Sequence, residues 1–240
     1  TRWAVDVGHG RRVGVAGPVA RCTGHDGSEM TTFDDLLARA EALAASGGRR
    51  VLGIAGCPAS GKTTLAWRLA GALGNRAKVV GMDGFHLAQV ELARLGSADR
   101  KGAPDTFDGA GYVHLVRRLA AGDERVYAPE FRREIEEPIA GAVAVPEDVP
   151  LVITEGNYLL LDTEPWAQLR SLLDEAWFLE PDENVRLERL VSRHRKYGRS
   201  LVEAQQRAWG SDQRNADLVA PSAARADLVV KDMELPTFAV

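Results

Sequence analysis

Residues 51–63, VLGIAGCPASGKT, constrain this chain more than any other stretch. A short apolar run enters a turn that holds two glycines and a lysine-threonine pair, and the amphipathic stretch TLAWRLA follows. Gly56, Gly61, Lys62 and Thr63 satisfy the spacing GxxxxGK[ST], a loop whose successive backbone N–H groups face anionic oxygens while the next helix adds the positive end of its dipole. The glycines permit the reversal. Lys62 is then placed to reach the β- and γ-phosphates of a nucleoside triphosphate, and the Thr63 hydroxyl to ligate Mg²⁺. The competing reading is a glycine turn with a solvated lysine, which needs neither the apolar run before it nor the helix behind it. The expected nucleotide-binding segment is therefore Gly56, Cys57, Pro58, Ala59, Ser60, Gly61, Lys62, Thr63 and Thr64. A modified thiol at Cys57 is expected to block nucleotide.

From Arg50 onward, apolar runs alternate with helical patterns. Strands are expected at 51–55, 78–82, 151–155, 175–179 and 227–231. Helices are expected at 62–73, 164–173, 182–196 and 201–208, with a mixed region over 85–122. The strand runs KVVGM, PLVIT and ADLVV are continuous rather than alternating, as in strands covered by helices on both faces, so the fold class is α/β with a parallel sheet. ERVYAP and AGAVAV, between 123 and 150, read as a short hairpin on the sheet edge. Upstream, Thr31 and Thr32 cap a helical pattern through Phe33, Leu36, Leu37, Ala40, Leu43 and Ala44 that ends at Gly47-Gly48. Residues 1–29 are glycine-rich and aperiodic, so they are expected to be a flexible extension, with the folded domain spanning 30–240. RRVGVAGPVA near the start echoes RRVLGIAGCPA but no GKT follows, and the echo is treated as chance.

A formal charge of −4 argues against general adhesion to nucleic acid or anionic membrane, so any polyanion site must be local. Two cysteines, Cys22 and Cys57, give no disulfide framework, and five scattered histidines give no metal spacing. No run of 18 apolar residues occurs, and the first 30 residues lack a continuous apolar stretch of the export type. The expected setting is cytoplasmic, with no membrane partner.

Three further features carry chemistry. VVGMDGFH puts Asp83 just past the carboxyl end of a buried strand, where open α/β sheets bind ligands and where a carboxylate can take the proton of an attacking hydroxyl. Spacing alone leaves Asp83 divided between that role and capping a turn. PLVITEGNYLLL ends a buried strand on Glu155, positioned to orient water or metal beside the γ-phosphate; as an unpaired buried charge it would be costly. Residues 186–199 hold six Arg/Lys against one Glu, with Arg186, Arg189 and Arg193 on one helical face. Such a face is either solvated or cationic over a transferring phosphoryl group. No guanine-reading NKxD and no LSGGQ-like sequence occurs, which favours ATP over GTP and argues against a transporter ATPase.

In order, the P-loop, MDGFH, RKGAPDTFD, AP and TEGNYLLL resemble the P-loop small-molecule kinases that include type I pantothenate kinase, uridine kinase and phosphoribulokinase. The similarity covers about residues 34–231. The nearest pattern is a bacterial nucleoside/nucleotide-kinase-like branch that includes proteins labelled fructose-import kinases. The resemblance implies a P-loop NTPase fold, with a parallel five-stranded sheet flanked by helices, a small β-hairpin insertion at the acceptor site and an Arg-rich lid. It implies Asp83 as catalytic base, Glu155 as the Mg²⁺-associated acid together with Thr63, and the Arg193 region as lid. Lys101, Asp108, Tyr158 and the 129–133 loop would line the acceptor pocket, and Asn215 in SDQRNADLV would lie near the adenine. After Ala128-Pro129, however, EFRREIEEP replaces the Tyr-Ser-His type of run found in pantothenate kinases, and Arg132 stands where nearer relatives carry Asp. Arg133 keeps the matching arginine and can bind a carboxylate or phosphate on the acceptor, or else pair with Glu136 or Glu137. His86 is divided between holding the acceptor and capping. Phe107 and Tyr112 are pocket floor or core.

The expectation is an ATP- and Mg²⁺-dependent kinase that phosphorylates a hydroxyl of a nucleoside, a pantothenate-like compound or a sugar. Asp83, Lys62, Glu155 and Arg193 are its catalytic residues. The rival is a nucleotide-operated switch with no acceptor; a nucleic-acid 5′-hydroxyl kinase would need a basic groove beyond the lid. A homodimer is left open.

Overall fold

A computed structural model describes residues 31–231 and 233. The expectations for residues 1–29 and for Met30 as the domain start lie outside that range. The chain opens with α1 (Phe33–Ala45), set by a capping box: Thr32 Oγ1 accepts from the Asp35 N–H at 3.2 Å and Asp35 Oδ2 accepts from the Thr32 N–H at 2.9 Å. Next come β1 (Arg50–Gly56), α2 (Lys62–Leu73) and β2 (Ala77–Gly81), then α3 (Gln89–Arg94) and α4 (Gly109–Ala121). A hairpin of β3 (Val126–Arg132) and β4 (Glu137–Val145) precedes β5 (Leu151–Glu155) and β6 (Glu175–Glu180). The chain closes with α5 (Glu183–Lys196), α6 (Leu201–Arg207), α7 (Gln213–Val219) and β7 (Leu228–Lys231). Among the described residues no helix is long and apolar enough to cross a membrane.

Five strands form one parallel sheet in the order β2-β5-β1-β6-β7. Because β1 and β5 are buried along nearly their whole length, alternate side chains feed two cores. Leu52, Ile54, Ile153 and Trp177 pack with α1 and α2 residues such as Leu36, Leu65 and Leu69. Val51, Ala55 and Phe178 pack on the other face with Tyr112, Tyr158 and Trp166. This is why the strand runs read as continuously apolar. The carboxyl ends of β1, β2 and β5 lie side by side in register, Ile54 opposite Glu155 and Gly81 opposite Glu155. The turns leaving β1 and β2 carry the P-loop and Asp83, and Glu155 is the last residue of β5, so three distant motifs meet at the carboxyl end of the sheet.

Several sequence expectations are corrected. Residues 164–173 form two 3₁₀ turns, Trp166–Gln168 and Arg170–Leu172, rather than an α-helix. Trp166, Leu169 and Leu172 recur every three residues and all face the core, and that period is satisfied by the tighter helix. The hairpin is longer than expected and forms its own two-stranded sheet instead of hanging on the edge of the main one, with its register shifting between Ala128 and Glu130 around Pro129. It is held by a separate apolar cluster of Val126, Ala128 and Val145 with Leu115, Leu119 and Val152. SDQRNADLV, read without secondary structure, lies mostly in α7, reached from α6 through a π-helical segment at Ala208–Asp212. Asp227 falls outside β7 because its carboxylate is taken by the Ala176 N–H at 2.8 Å and by Arg170 at 2.6 Å.

Candidate active site

The P-loop is held in shape by close backbone approach. Gly56 sits at φ 147°, and a Cβ there would lie 2.6 Å from Ser60 Oγ and 2.7 Å from the Leu179 carbonyl oxygen. Gly61 caps α2 at φ 101°, and Ala59 takes φ 65°, a conformation that a side chain occupies only under constraint. Lys62 is buried, 6% exposed, and folds back over the loop, donating to the Cys57 carbonyl at 2.8 Å and to Ser60 Oγ at 3.3 Å. Burial lowers its pKa to about 8, while Glu155, Cys57 and Asp83 pull it the other way. A lysine charge held against the backbone of an anion cradle is poised to be repaid by phosphate oxygens.

Glu155, 7% exposed, ends β5 beside this lysine, and its Oε1 accepts from Thr63 Oγ1 at 3.2 Å. Burial, then the Asp83 charge, push its pKa up to about 7 against the pull of Lys62 and the Thr63 hydroxyl. A buried carboxylate short of positive charge, next to a hydroxyl, is a hard-oxygen pair that fits Mg²⁺, an ion that takes one or two protein oxygens and fills its remaining positions with phosphate and water. The residues present therefore fit the implied metal.

Asp83 occupies the 3₁₀ turn Met82–Phe85 that follows β2. Its Oδ2 accepts from Arg133 Nη2 at 3.2 Å, and its backbone carbonyl pairs with His86 Nδ1 at 2.8 Å. Burial raises its pKa, but His86, Arg133, Arg193 and Lys62 together outweigh that and hold the carboxyl below its usual range. Gly84 is what allows the hairpin to approach: a Cβ there would meet the Pro129 carbonyl oxygen at 2.5 Å. The His86 ring packs between Phe107, 4.0 Å away, and Phe131, 4.7 Å away, and burial lowers its pKa. A cleft open to solvent lies between α2 and the hairpin and is lined by Asp83, Glu155, Thr63, Trp67, Phe131 and Arg133 among others.

The basic helix α5 faces this edge. Arg186 is almost fully buried. Its Nη1 donates to the Pro58 carbonyl at 3.3 Å and its Nη2 to Gln213 Oε1 at 2.5 Å, clamping helix and α7 onto the P-loop. Arg193, half-buried, is lowered in pKa by burial and then by Arg133, and is drawn upward by Asp212 and Asp83. One nitrogen of Arg189, Nη1, is buried with no hydrogen-bond partner.

The structure thus brings Lys62, Thr63, Glu155, Asp83, His86, Arg133 and Arg193 to one place. Lys101 sits nearby: its ammonium caps the Glu136 carbonyl and lies 5.1 Å from the centre of the Phe131 ring. Three further residues expected in the site make these contacts. Asp108 is exposed and serves as the N-cap of α4, its Oδ1 accepting from the Gly111 N–H at 2.8 Å. Tyr158 is buried in the aromatic core against Phe107 and Trp166, and its hydroxyl donates to the Gly102 carbonyl. Asn215 Nδ2 donates at 3.2 Å to that same carbonyl, so both residues tether the 101–106 segment. Tyr112 is core, its hydroxyl paired with Thr154 Oγ1 at 2.5 Å. The sequence reading passed over Trp67, 56% exposed one turn into α2, and the P-loop contact of Arg186. An exposed tryptophan on the helix that follows a phosphate cradle was the available signal for the first.

Comparison with known proteins points the same way. The model of the phosphoribulokinase / uridine kinase family matches residues 51–238. A Schizosaccharomyces pombe protein provisionally named a uridine kinase is 32% identical over 224 residues, 88% of this chain and 95% of that one. A solved structure from Silicibacter sp. TM1040, provisionally named a fructose transport system kinase, is 38% identical with a TM-score of 0.74, covering 83% of this chain and 98% of that one. YFH7 of Saccharomyces cerevisiae shares the fold at a TM-score of 0.74 and 17% identity, covering 85% and 99% of the two chains.

Proposed function

The chain belongs to the phosphoribulokinase / uridine kinase family and is an ATP-using kinase of a small-metabolite hydroxyl; from that premise we propose how its own residues divide the reaction. Backbone N–H groups of the P-loop, among them those of Gly61 and Lys62, and the Lys62 ammonium hold the β- and γ-phosphates. Thr63 and Glu155 supply the protein oxygens for Mg²⁺, which when bound neutralises phosphate charge. The acceptor enters the cleft between α2 and the hairpin, its hydroxyl directed at Asp83.

The hydroxyl oxygen then bonds to the γ-phosphorus, the bond from phosphorus to the β,γ-bridging oxygen breaks with its electrons leaving on ADP, and the hydroxyl proton passes to the Asp83 carboxylate. A loose phosphoryl transition state asks little basicity of that carboxylate, which suits a group whose pKa is held low. Lys62, with Arg193 from α5, stabilises the transferring group from the opposite side. Residues 30–240 form the kinase domain in this reading. The observation that carries it is the meeting of an anion cradle, a buried carboxylate on Thr63 and an open carboxylate on Arg133 at one sheet edge.

The test is ADP release with ATP and Mg²⁺ against a panel of nucleosides, sugars and hydroxy acids, wild type beside Asp83→Asn. Removing a positioned base is expected to lower turnover by about 10²–10⁴-fold with ATP binding kept. Nucleotide-dependent behaviour that the substitution leaves intact would favour a switch without an acceptor.

A further inference from the structure

Arg186 fixes only the start of α5, which it ties to the P-loop at Pro58 and to Gln213 at the beginning of α7. About two turns further along the same helix lies His194, 9% exposed, a buried histidine that the proposed reaction does not use. Its Nε2 is 2.6 Å from Asp212 Oδ2, and its Nδ1 is 3.0 Å from Arg199 Nη1. A guanidinium can only donate, so Nδ1 accepts and the ring is neutral, with its proton on Nε2 donated to Asp212. The His194 and Asp212 side chains are 11% and 17% exposed, so losing either partner would leave a polar group nearly dry.

The chain bends to make this contact. Gly198, at φ 88°, turns it out of α5, and the Arg199 N–H returns to the His194 carbonyl at 3.2 Å, which brings the Arg199 guanidinium to the ring. Asp212 is the last residue of the π-helical segment Ala208–Asp212, a form that is rare and often marks a functional place, and Gln213 opens α7. Two adjacent residues of one junction therefore receive both ends of α5: Gln213 takes Arg186 and Asp212 takes His194. Arg193 precedes His194 on the turn so held.

We propose that the His194–Asp212 pair positions Arg193, holding the last turn of α5 against the start of α7 so that the guanidinium is set towards the γ-phosphoryl group before nucleotide binds. The proposal rests on Arg193 acting on that group. Asp212 also acts on Arg193 directly, since its charge draws the guanidinium pKa upward against burial. An arginine ordered on folding has already lost the freedom that a loose one would lose on binding.

The test needs no acceptor. Dissociation constants are measured for ADP and for adenylyl imidodiphosphate, each with Mg²⁺, and their ratio reports the contribution of the γ-phosphoryl group. Arg193→Gln is expected to reduce the preference for the triphosphate analogue by about tenfold to a hundredfold. His194→Leu and Asp212→Ala should each reduce it by about threefold to tenfold with ADP binding kept. His194→Gln, whose amide still donates to Asp212, should recover most of that loss, and His194→Leu should add nothing in the Arg193→Gln background. An unchanged preference in His194→Leu and Asp212→Ala, an equal weakening of ADP and analogue, or an additive loss in the double variant overturns the proposal. Where the truncated variants do not fold, His194→Gln is set against His194→Asn. Glutamine places its amide nitrogen near Nε2 and asparagine near Nδ1, so only glutamine should keep the preference, and equal behaviour overturns the proposal. If Lys62→Met lowers the preference and Arg193→Gln does not, the cradle stands but Arg193 does not reach the γ-phosphoryl group, and the proposal falls. If neither lowers it, the reading of the nucleotide site falls as well.

Discussion

The two sides of the catalytic cleft are built differently. On the nucleotide side the working groups are backbone N–H donors and nearly buried side chains, with Ser60, Lys62 and Glu155 at 2%, 6% and 7% exposure, fixed by strand ends and by Arg186 pinning Pro58. On the acceptor side they are half-exposed side chains on turns, Asp83 and Arg133, with the hairpin presenting Tyr127, Ile135 and Ile139 to solvent. In the proposed reading, the chemistry common to every phosphoryl transfer is set in nearly buried structure. What distinguishes one acceptor from another is left on loops that can be rebuilt at little cost to the fold.

The sharpest way to break this comparison is at Lys62. Lys62→Met removes a buried ammonium that the proposed reading sets against the phosphates, and kcat is expected to fall by about 10²–10³-fold with every acceptor alike; a loss confined to one acceptor would mean that the nucleotide side also carries specificity. The same substitution at two glycines comes next. Gly56→Ala forces a Cβ against Ser60 Oγ and the Leu179 carbonyl, and is expected to destabilise by about 1–3 kcal/mol and to abolish tight ATP binding. Gly141→Ala, at φ 67° in the hairpin with nothing within 4 Å, should cost only about 1–2 kcal/mol of backbone strain and leave ATP affinity unchanged. Melting curves and nucleotide titrations separate the two. A smaller effect is expected from Gly84→Ala, which pushes Pro129 and the hairpin away from Asp83. The KM of the acceptor should rise by about tenfold, the size of one lost charged hydrogen bond, while the KM for ATP stays put. Equal rises in both would show that the two sides are mechanically one.

The same contrast decides what could be read from the sequence. The P-loop, the parallel sheet and the placing of Asp83 and Glu155 at strand ends were legible because each leaves a local mark: a fixed glycine spacing, a continuous apolar run, or a carboxylate where that run stops. The 3₁₀ turns at 166–172 were not, since Trp166, Leu169 and Leu172 satisfy periods of three and of 3.6 almost equally over so short a stretch. The hairpin's separation from the sheet depends on a distant cluster with Leu115 and Val152, which no local pattern reports. Asp108 and Asn215 were assigned by similarity to an acceptor pocket and an adenine site; the contacts they make here, capping α4 and holding the Gly102 carbonyl, left no mark in the sequence. The side chain is the expected type at each position, and only three-dimensional neighbours reveal the hydrogen bond it makes. Arg186 was visible as part of a basic face, but its burial against Pro58 was not.

Transfer of the γ-phosphoryl group from terminally labelled ATP tests the central claim most directly. Wild type and Asp83→Asn are incubated with Mg²⁺ and the acceptor panel, and label is followed into organic phosphoester and into inorganic phosphate. The account predicts label in the phosphoester of one small hydroxyl compound with wild type and near-complete loss of that product in Asp83→Asn. Label appearing only as inorganic phosphate, at a rate the substitution leaves unchanged, would contradict it.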